Sequence, residues 1–239
     1  MTADEIIEEL RQLSDPAKVA DLERYAIKTP KWFGIRAPEL KAFAREIKKL
    51  VPDRHATAAE LWRSGIYDVR AIAFLIDEPK KVTPEQMDSW VADFDNWATC
   101  DGACCYLFCR TPYAYDKAYE WVTRDEEFVK RAAFALMAYL AVHDKKADDD
   151  KLAAFLPVIE KHSDDDRNFV RKAVNWALRQ IGKRNLALNN LAIDTAERIK
   201  IQNTKPARWI AADALRELRN PATLEDSREK PQNSLVKTC

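Results

Sequence analysis

The chain has 239 residues, of which 47% are hydrophobic, so it is long enough to bury a sizeable core. Lys plus Arg and Asp plus Glu each number 39 and give zero net charge, so overall composition does not indicate a nucleic-acid-binding protein. Four glycines against 11 prolines disfavour a β-rich fold built on tight turns. The first residues are acidic, and no apolar run of about 18 residues occurs, so we expect a cytoplasmic protein without membrane segments.

The predicted elements are helices throughout the chain. Thr2 and Glu5 form a capping box at the first helix. First-turn prolines begin later helices at Pro38 and Pro84, and Gly182 ends another as a C′ glycine. Apolar residues recur at steps of three and four, which predicts about a dozen helices of roughly 10 to 18 residues.

Internal similarity indicates how these helices are arranged. FVKRAAFALMAYL, from Phe128, aligns with FVRKAVNWALRQI, from Phe169, and part of the latter aligns with ARWIAADALREL, from Ala207. A period near 40 residues with two helices per unit is typical of HEAT-like or armadillo-like proteins. We therefore predict an all-α solenoid of stacked antiparallel helix pairs over residues 1–219. Residues 220–239 are polar and aperiodic, and we predict a disordered tail.

The segment DNWATCDGACCYLF, residues 95–108, carries a chemically distinctive pair. In a helix, Trp97 and Asp101 share one face because they are four residues apart. A carboxylate beside an indole can hold a developing positive charge next to a flat apolar group. Arg131 and Trp176 lie at comparable places in two later helices. The structural alternative is a buried tryptophan with an aspartate near a helix end.

Positive charge is concentrated between residues 167 and 184, a segment without acidic residues that we call the basic strip. Its cations could be a solvated helix face, or they could bind phosphates on the concave side of a solenoid. Trp176 lies among them and could contact a sugar or a base. The six cations are Arg167, Arg171, Lys172, Arg179, Lys183 and Arg184.

Other residues with chemical potential have simpler interpretations. Four of the five cysteines fall between Cys100 and Cys109, which favours small packed side chains in a reducing compartment. Zinc is the alternative, but one helix cannot wrap four ligands around an ion, so no metal site is predicted. The remaining tryptophans are assigned to packing; they are Trp62, Trp90, Trp121 and Trp209.

Several motifs together resemble the AlkD-like DNA alkylation repair glycosylases. They are ERYAIKTPKWFGIRAPELK, DNWATCD, FVKRAAF and FVRKAVNWALRQIGKRN, and the resemblance extends from about Arg24 to Leu218. It implies a HEAT-like solenoid whose concave basic face grips duplex DNA. It also implies excision of cationic N3- and N7-alkylated purines by glycosidic-bond hydrolysis, without flipping the base into a pocket.

The resemblance assigns roles residue by residue. Asp101 matches the catalytic aspartate, and Trp97 and Trp176 match the aromatic pair lining the deoxyribose. Tyr25 matches the aromatic that completes this cleft, and Arg131 a residue facing the DNA backbone. Arg179 lies where such proteins often have a further cation. Double-stranded DNA carrying alkylated purines is the implied partner, no cofactor is implied, and a monomer suits a groove that admits duplex DNA.

Two other classes of function remain open at this point. A non-catalytic DNA-binding solenoid that recognises distorted or branched DNA would keep the basic strip but would not depend on Asp101. A protein-binding scaffold, which many helical repeats are, would show little salt-dependent affinity for DNA.

Overall fold

A computed structural model describes residues 1–18, 24–27, 29 and 31–229. The chain divides into two compact units, Met1–Ala114 and Tyr115–Cys239, and each is described by itself. The described residues form helices and connecting turns without a strand. Within these same ranges no helix has the length and apolar character that a membrane crossing requires. The predicted end of a single domain at residue 219 stays a prediction.

In the first unit, every second helix belongs to the same layer. Helix α2 packs on α4 and α4 packs on α6, whereas α1 and α3 lie behind them. This alternation is the arrangement expected of stacked helix pairs. The helices are α1 (Ala3–Gln12), α2 (Ala37–Ile47), α3 (Arg54–Arg63), α4 (Tyr67–Ile76), α5 (Pro84–Ala92) and α6 (Trp97–Tyr106), with 3₁₀ turns at Pro16–Lys18 and Phe108–Arg110.

The second unit repeats this plan. Helix α8 packs on α11 and α11 packs on α13, and α12 pairs with both α11 and α13. Its helices are α7 (Ala114–Trp121), α8 (Glu127–His143), α9 (Asp149–Ala153), α10 (Leu156–Lys161), α11 (Asn168–Gly182), α12 (Leu186–Ile201), α13 (Lys205–Leu218) and α14 (Pro221–Glu229).

The three segments aligned in the sequence are α8, α11 and α13, which are consecutive neighbours in one layer. Phe128 and Phe169, which open the first two segments, lie with ring centroids 5.3 Å apart. Equivalent residues of successive repeats therefore meet across the helix interface. The all-helical, HEAT-like fold predicted from the repeat is confirmed.

Most of the predicted helix starts agree with the structure. Thr2 and Glu5 form both halves of the capping box, and the Thr83 side chain accepts a hydrogen bond from the backbone N–H of Gln86. Trp62 and Trp90 are buried and stack at 4.1 Å, and Trp121 is also buried, which confirms their packing role.

Two predictions need correction. Gly182 is the last residue of α11 and not a left-handed C′ residue; a Cβ there would lie 2.6 Å from a Leu218 methyl and 2.9 Å from Ala192 Cβ. It is a glycine because neighbouring helices approach closely. The predicted disordered tail instead begins with α14, which contacts α12 and α13. Asn220 Oδ1 accepts from the Ala222 N–H at its start, and residues 230–239 lie outside the described part.

Candidate functional site

Helix α6 begins where the sequence predicts a functional pair. The Asn96 side chain caps the helix by accepting from the backbone N–H of Thr99 over 2.9 Å. This cap makes Trp97 the first helical residue and puts Asp101 one turn later, so both side chains share a face. Both are partly exposed, whereas Cys100, next to Asp101, is fully buried. Asp101 is therefore accessible from solvent at the edge of a packed helix.

Trp97 is fixed by a bond to a distant part of the first unit. Its indole Nε1–H donates to the backbone carbonyl of Tyr25 over 2.9 Å. The Tyr25 side chain is 60% exposed, and the following residue, Ala26, has a left-handed φ of 55°. Buried Ile27 anchors this segment to the core. The structure thus brings together Tyr25 and Trp97, two of the predicted site residues.

The opposite side of α6 is closely packed. A Cβ on Gly102 would lie 2.5 Å from Phe74 Cζ, so only glycine lets the Phe74 ring pack this closely against α6. Phe74 in turn stacks on Tyr106 with ring centroids 6.1 Å apart and nearly parallel planes. Burial raises the pKa of the Cys104 thiol well above its usual value. Among the described residues, no group of His, Cys, Asp and Glu is arranged to hold a metal ion.

In the second unit, Trp176 and Arg131 have different surroundings. Trp176 on α11 is partly exposed and meets the Tyr139 ring of α8 edge-on at 4.9 Å. Arg131 is only 7% exposed, and its Nη1 donates to the backbone carbonyl of Phe169 over 2.7 Å. Arg131 therefore joins α8 to α11, and its predicted place on a surface facing the DNA backbone does not fit this burial.

Three of the six cations of the basic strip are paired with carboxylates, from α13 or from the loop before α11. Arg179 pairs with Glu217 of α13, and Lys183 Nζ lies 2.7 Å from the same carboxylate. Desolvation raises the pKa of Glu217, but Lys183 and Arg179 outweigh this effect and lower it overall. Arg167 lies 2.6 Å from Asp165. These ion pairs replace the predicted continuous run of available cations.

The three remaining strip cations differ from one another. Arg184 is 8% exposed, and its guanidinium donates to the backbone carbonyls of Ala141 and Asp144 at the end of α8. Its burial and these two internal hydrogen bonds do not favour the phosphate contact predicted from the sequence, which stays a prediction. Lys172 is exposed, and the Arg171 guanidinium lies 4.8 Å from the centroid of the Trp209 ring.

Comparison with known proteins places this geometry in a family. A sequence family described as DNA alkylation repair enzyme matches residues 6–218. The chain belongs to the DNA alkylation repair enzyme family. A solved structure described as "a new family of proteins related to the HEAT-like repeat DNA glycosylases with affinity for branched DNA structures" is similar with a TM-score of 0.74. The two are 19% identical, and the similarity covers 97% of this chain and 99% of that chain. No curated protein matched.

This DNA alkylation repair family member carries an exposed aromatic that the sequence interpretation assigned to packing. Trp209 is 38% exposed and lies at the start of α13, beside the start of α11. Lys205 and Arg208 are exposed on the same first turn. The Arg171 guanidinium lies against the Trp209 ring. Lys205 and Arg208, close to Trp209 in the sequence, were only a weak signal, since buried Trp62 also has two charged near neighbours, Glu60 and Arg63.

The two units of this family member thus offer complementary chemistry. In the first, Asp101 supplies a carboxylate beside the indole of Trp97, which is positioned by Tyr25. In the second, the Arg171 guanidinium lies against the partly exposed Trp209 ring, and Lys172 is exposed next to Arg171 in the chain. The first arrangement can stabilise a developing cation, and the second can hold phosphates.

Proposed function

We propose that this protein is a DNA glycosylase that removes cationic N3- and N7-alkylated purines from duplex DNA by hydrolysing the glycosidic bond. The observation that carries the proposal is the partly exposed Asp101, one helical turn after Trp97, in a member of the DNA alkylation repair family. We further propose a monomer that acts in the cytoplasm.

The leaving base does not need to be protonated by the protein. An alkylated purine is already positively charged, so when the C1′–N bond breaks, its electron pair neutralises the base and no general acid is needed. The sugar becomes oxocarbenium-like, and the Asp101 carboxylate stabilises that charge. A water oxygen then bonds to C1′, and its proton passes to Asp101 or to solvent. The face of Trp97 adds to the stabilisation because cations are attracted to aromatic faces.

The second unit has a supporting role in this proposal. Trp176 is proposed to contact deoxyribose, while Lys172, Arg171, Lys205 and Arg208 contact phosphates. Arg179 and Lys183 contribute to binding only as far as Glu217 leaves their charge uncompensated. Buried Arg131 positions α8 and α11 rather than touching DNA.

Release of N7-methylguanine from a methylated duplex tests the proposal, with Asp101→Asn as the variant. Asparagine has nearly the same shape but no charge, so we expect release to fall by about 10²–10³ while the fold survives. Asp116→Asn, at an exposed site on α7, is the matched control and should release the base at the native rate. Near-native release by Asp101→Asn would contradict the assigned role.

A second candidate is non-catalytic recognition of branched DNA. The described affinity of the similar structure for branched DNA favours it. This function predicts no base release by the native protein, together with salt-sensitive DNA binding that Asp101→Asn leaves unchanged. The same two proteins therefore distinguish the candidates.

A further inference from the structure

Helix α2 presents three cations on one face. Lys41, Arg45 and Lys48 are spaced at i, i+4 and i+7, and all three are exposed. Within the described ranges, none of them pairs with a carboxylate. They line a surface pocket whose other lining residues are apolar. The lining residues are Pro38, Lys41, Ala44, Arg45, Lys48 and Leu75.

Other cations at the two ends of this helix do have carboxylate partners. At its start Arg36 pairs with Glu39 at 3.1 Å, and near its end Lys49 pairs with Glu46 at 3.9 Å. Cations on either side of the pocket are therefore neutralised, whereas those that line it are not. Like charges three and four residues apart repel and destabilise a helix. An anionic ligand would remove this repulsion.

The surroundings add to the positive charge. Desolvation lowers the pKa of the Lys48 ammonium group. The nearby guanidinium groups of Arg54 and Arg110 lower it further by charge repulsion. Lys41 Nζ lies 5.0 Å from the centroid of the Tyr106 ring, which belongs to α6. The pocket is thus connected, through Tyr106, to the helix that carries Asp101.

We propose that Lys41, Arg45 and Lys48 bind backbone phosphates of the duplex on which Asp101 acts. This inference rests on the proposed function, because it takes DNA as the ligand. Tyr106 lies five residues beyond Asp101, an axial distance of about 7–8 Å along α6. Nucleotides of one strand advance by about 3.4 Å each along the duplex axis. The separation of Tyr106 and Asp101 along α6 thus corresponds to about two nucleotide steps, so one duplex can reach both the pocket and Asp101.

The test is salt-dependent binding of an undamaged duplex of about 20 base pairs by the full chain carrying Lys41→Gln, Arg45→Gln and Lys48→Gln. Each lost phosphate contact should lower the slope of log K against log salt by about 0.9, so we expect the slope to fall by about 2–3 units. Affinity at low salt should fall at least about tenfold, because each contact releases a counterion.

A second triple variant controls for the change in net charge. It carries Lys49→Gln, Lys161→Gln and Lys200→Gln, all at exposed sites outside the pocket. We expect it to keep nearly the native slope. If both triple variants lower the slope equally, or if the pocket variant binds like the native protein, the pocket does not hold phosphates and the proposal is wrong.

Thermal unfolding of the pocket variant guards against loss of the fold. Removing mutually repelling charges should leave the melting temperature at or above the native value. If the triple variant fails to fold, Lys48→Gln alone is measured. We expect its slope of log K against log salt to fall by about one unit. A slope equal to the native one would overturn the proposal. Base release by Asp101→Asn is independent of this result, so failure of the pocket and failure of the glycosylase proposal are distinguishable.

Discussion

The indole N–H of Trp97 donates to the backbone carbonyl of Tyr25, a residue 72 positions earlier in the chain. The bond uses the polar edge of the indole and leaves its face available. It also uses the backbone of Tyr25 and leaves the aromatic side chain, which is 60% exposed, outside the bond. One hydrogen bond therefore fixes the position of Trp97 relative to Tyr25 and leaves the indole face and the Tyr25 ring outside the bond.

Replacing Trp97 by Phe keeps an aromatic face but removes the donor to Tyr25. A hydrogen bond of this kind contributes about 0.5–1.5 kcal/mol, so we expect base release to fall by about 2- to 12-fold. Amide hydrogen exchange near Ala26 should also become faster. Tyr25→Phe is the matched control, because the backbone carbonyl and the ring both remain. If Trp97→Phe exchanges and reacts like the native protein, the bond has no positioning role.

Glu217 holds two cations of the basic strip away from other anions. In Glu217→Gln, Arg179 and Lys183 lose their shared carboxylate, and we expect tighter DNA binding with a salt slope steeper by about one to two units. The variant should also unfold at a lower temperature, because its ion pairs are lost. Fluorescence anisotropy at several salt concentrations provides the measurement. An unchanged slope would show that these two cations do not face DNA.

Asp165 gives the second unit a defined dependence on pH. Desolvation raises the pKa of its carboxyl, but bonds from Arg167 and Lys130 outweigh this and lower it from 3.8 to about 2. Because the pKa is lowered on folding, the associated stability is present above about pH 4 and is lost as the pH falls toward 2.

Asp165→Asn should therefore unfold at a lower urea concentration than the native protein at pH 7. We expect its free energy of unfolding to be lower by about 1 kcal/mol after allowance for solvent screening. The difference from the native protein should shrink between pH 4 and pH 2. Urea midpoints measured at several values of pH would detect this convergence. A difference that stays constant over the whole range would mean that the ion pairs with Arg167 and Lys130 are not its source.

Gly102 is the position where added bulk should do most harm next to Asp101. Although Ala favours a helix over Gly by about 1 kcal/mol, its Cβ would lie 2.5 Å from Phe74 Cζ. Overpacking of this kind costs about 1–3 kcal/mol, so we expect Gly102→Ala to lower the melting temperature and base release together. Adding Phe74→Leu, which removes the opposing ring, should restore part of both. Failure of the second substitution to restore either property would exclude this contact as the cause.

The sequence was sufficient for features that depend on local spacing. The Trp97 and Asp101 pair follows from a four-residue step, and the contact between the Phe128 and Phe169 rings follows from the repeat. The neutralisation of Arg179 could not be read in this way. Its partner, Glu217, is 38 residues away, and only the packing of α11 against α13 brings the charges together.

Burial was the second property that residue types alone could not supply. Arg184 and Lys172 have the same charge and lie in the same basic strip, yet the first ends inside the protein and the second on its surface. Conversely, the α2 pocket was missed because a carboxylate, Glu46, lies among Lys41, Arg45 and Lys48 in the sequence. Helical geometry separates Glu46 from them and leaves an unbalanced face.

The cysteines on α6 and just after it also determine how the protein reacts with electrophiles. Methylating agents that modify purines attack thiolates more readily than thiols, because the thiolate is the nucleophile. Burial raises the pKa of Cys109 to about 11 and that of Cys104 well above its usual value, so at neutral pH both remain protonated. Alkylating agents would therefore find few reactive thiolates at these two positions, one on and one just after the helix that carries Asp101.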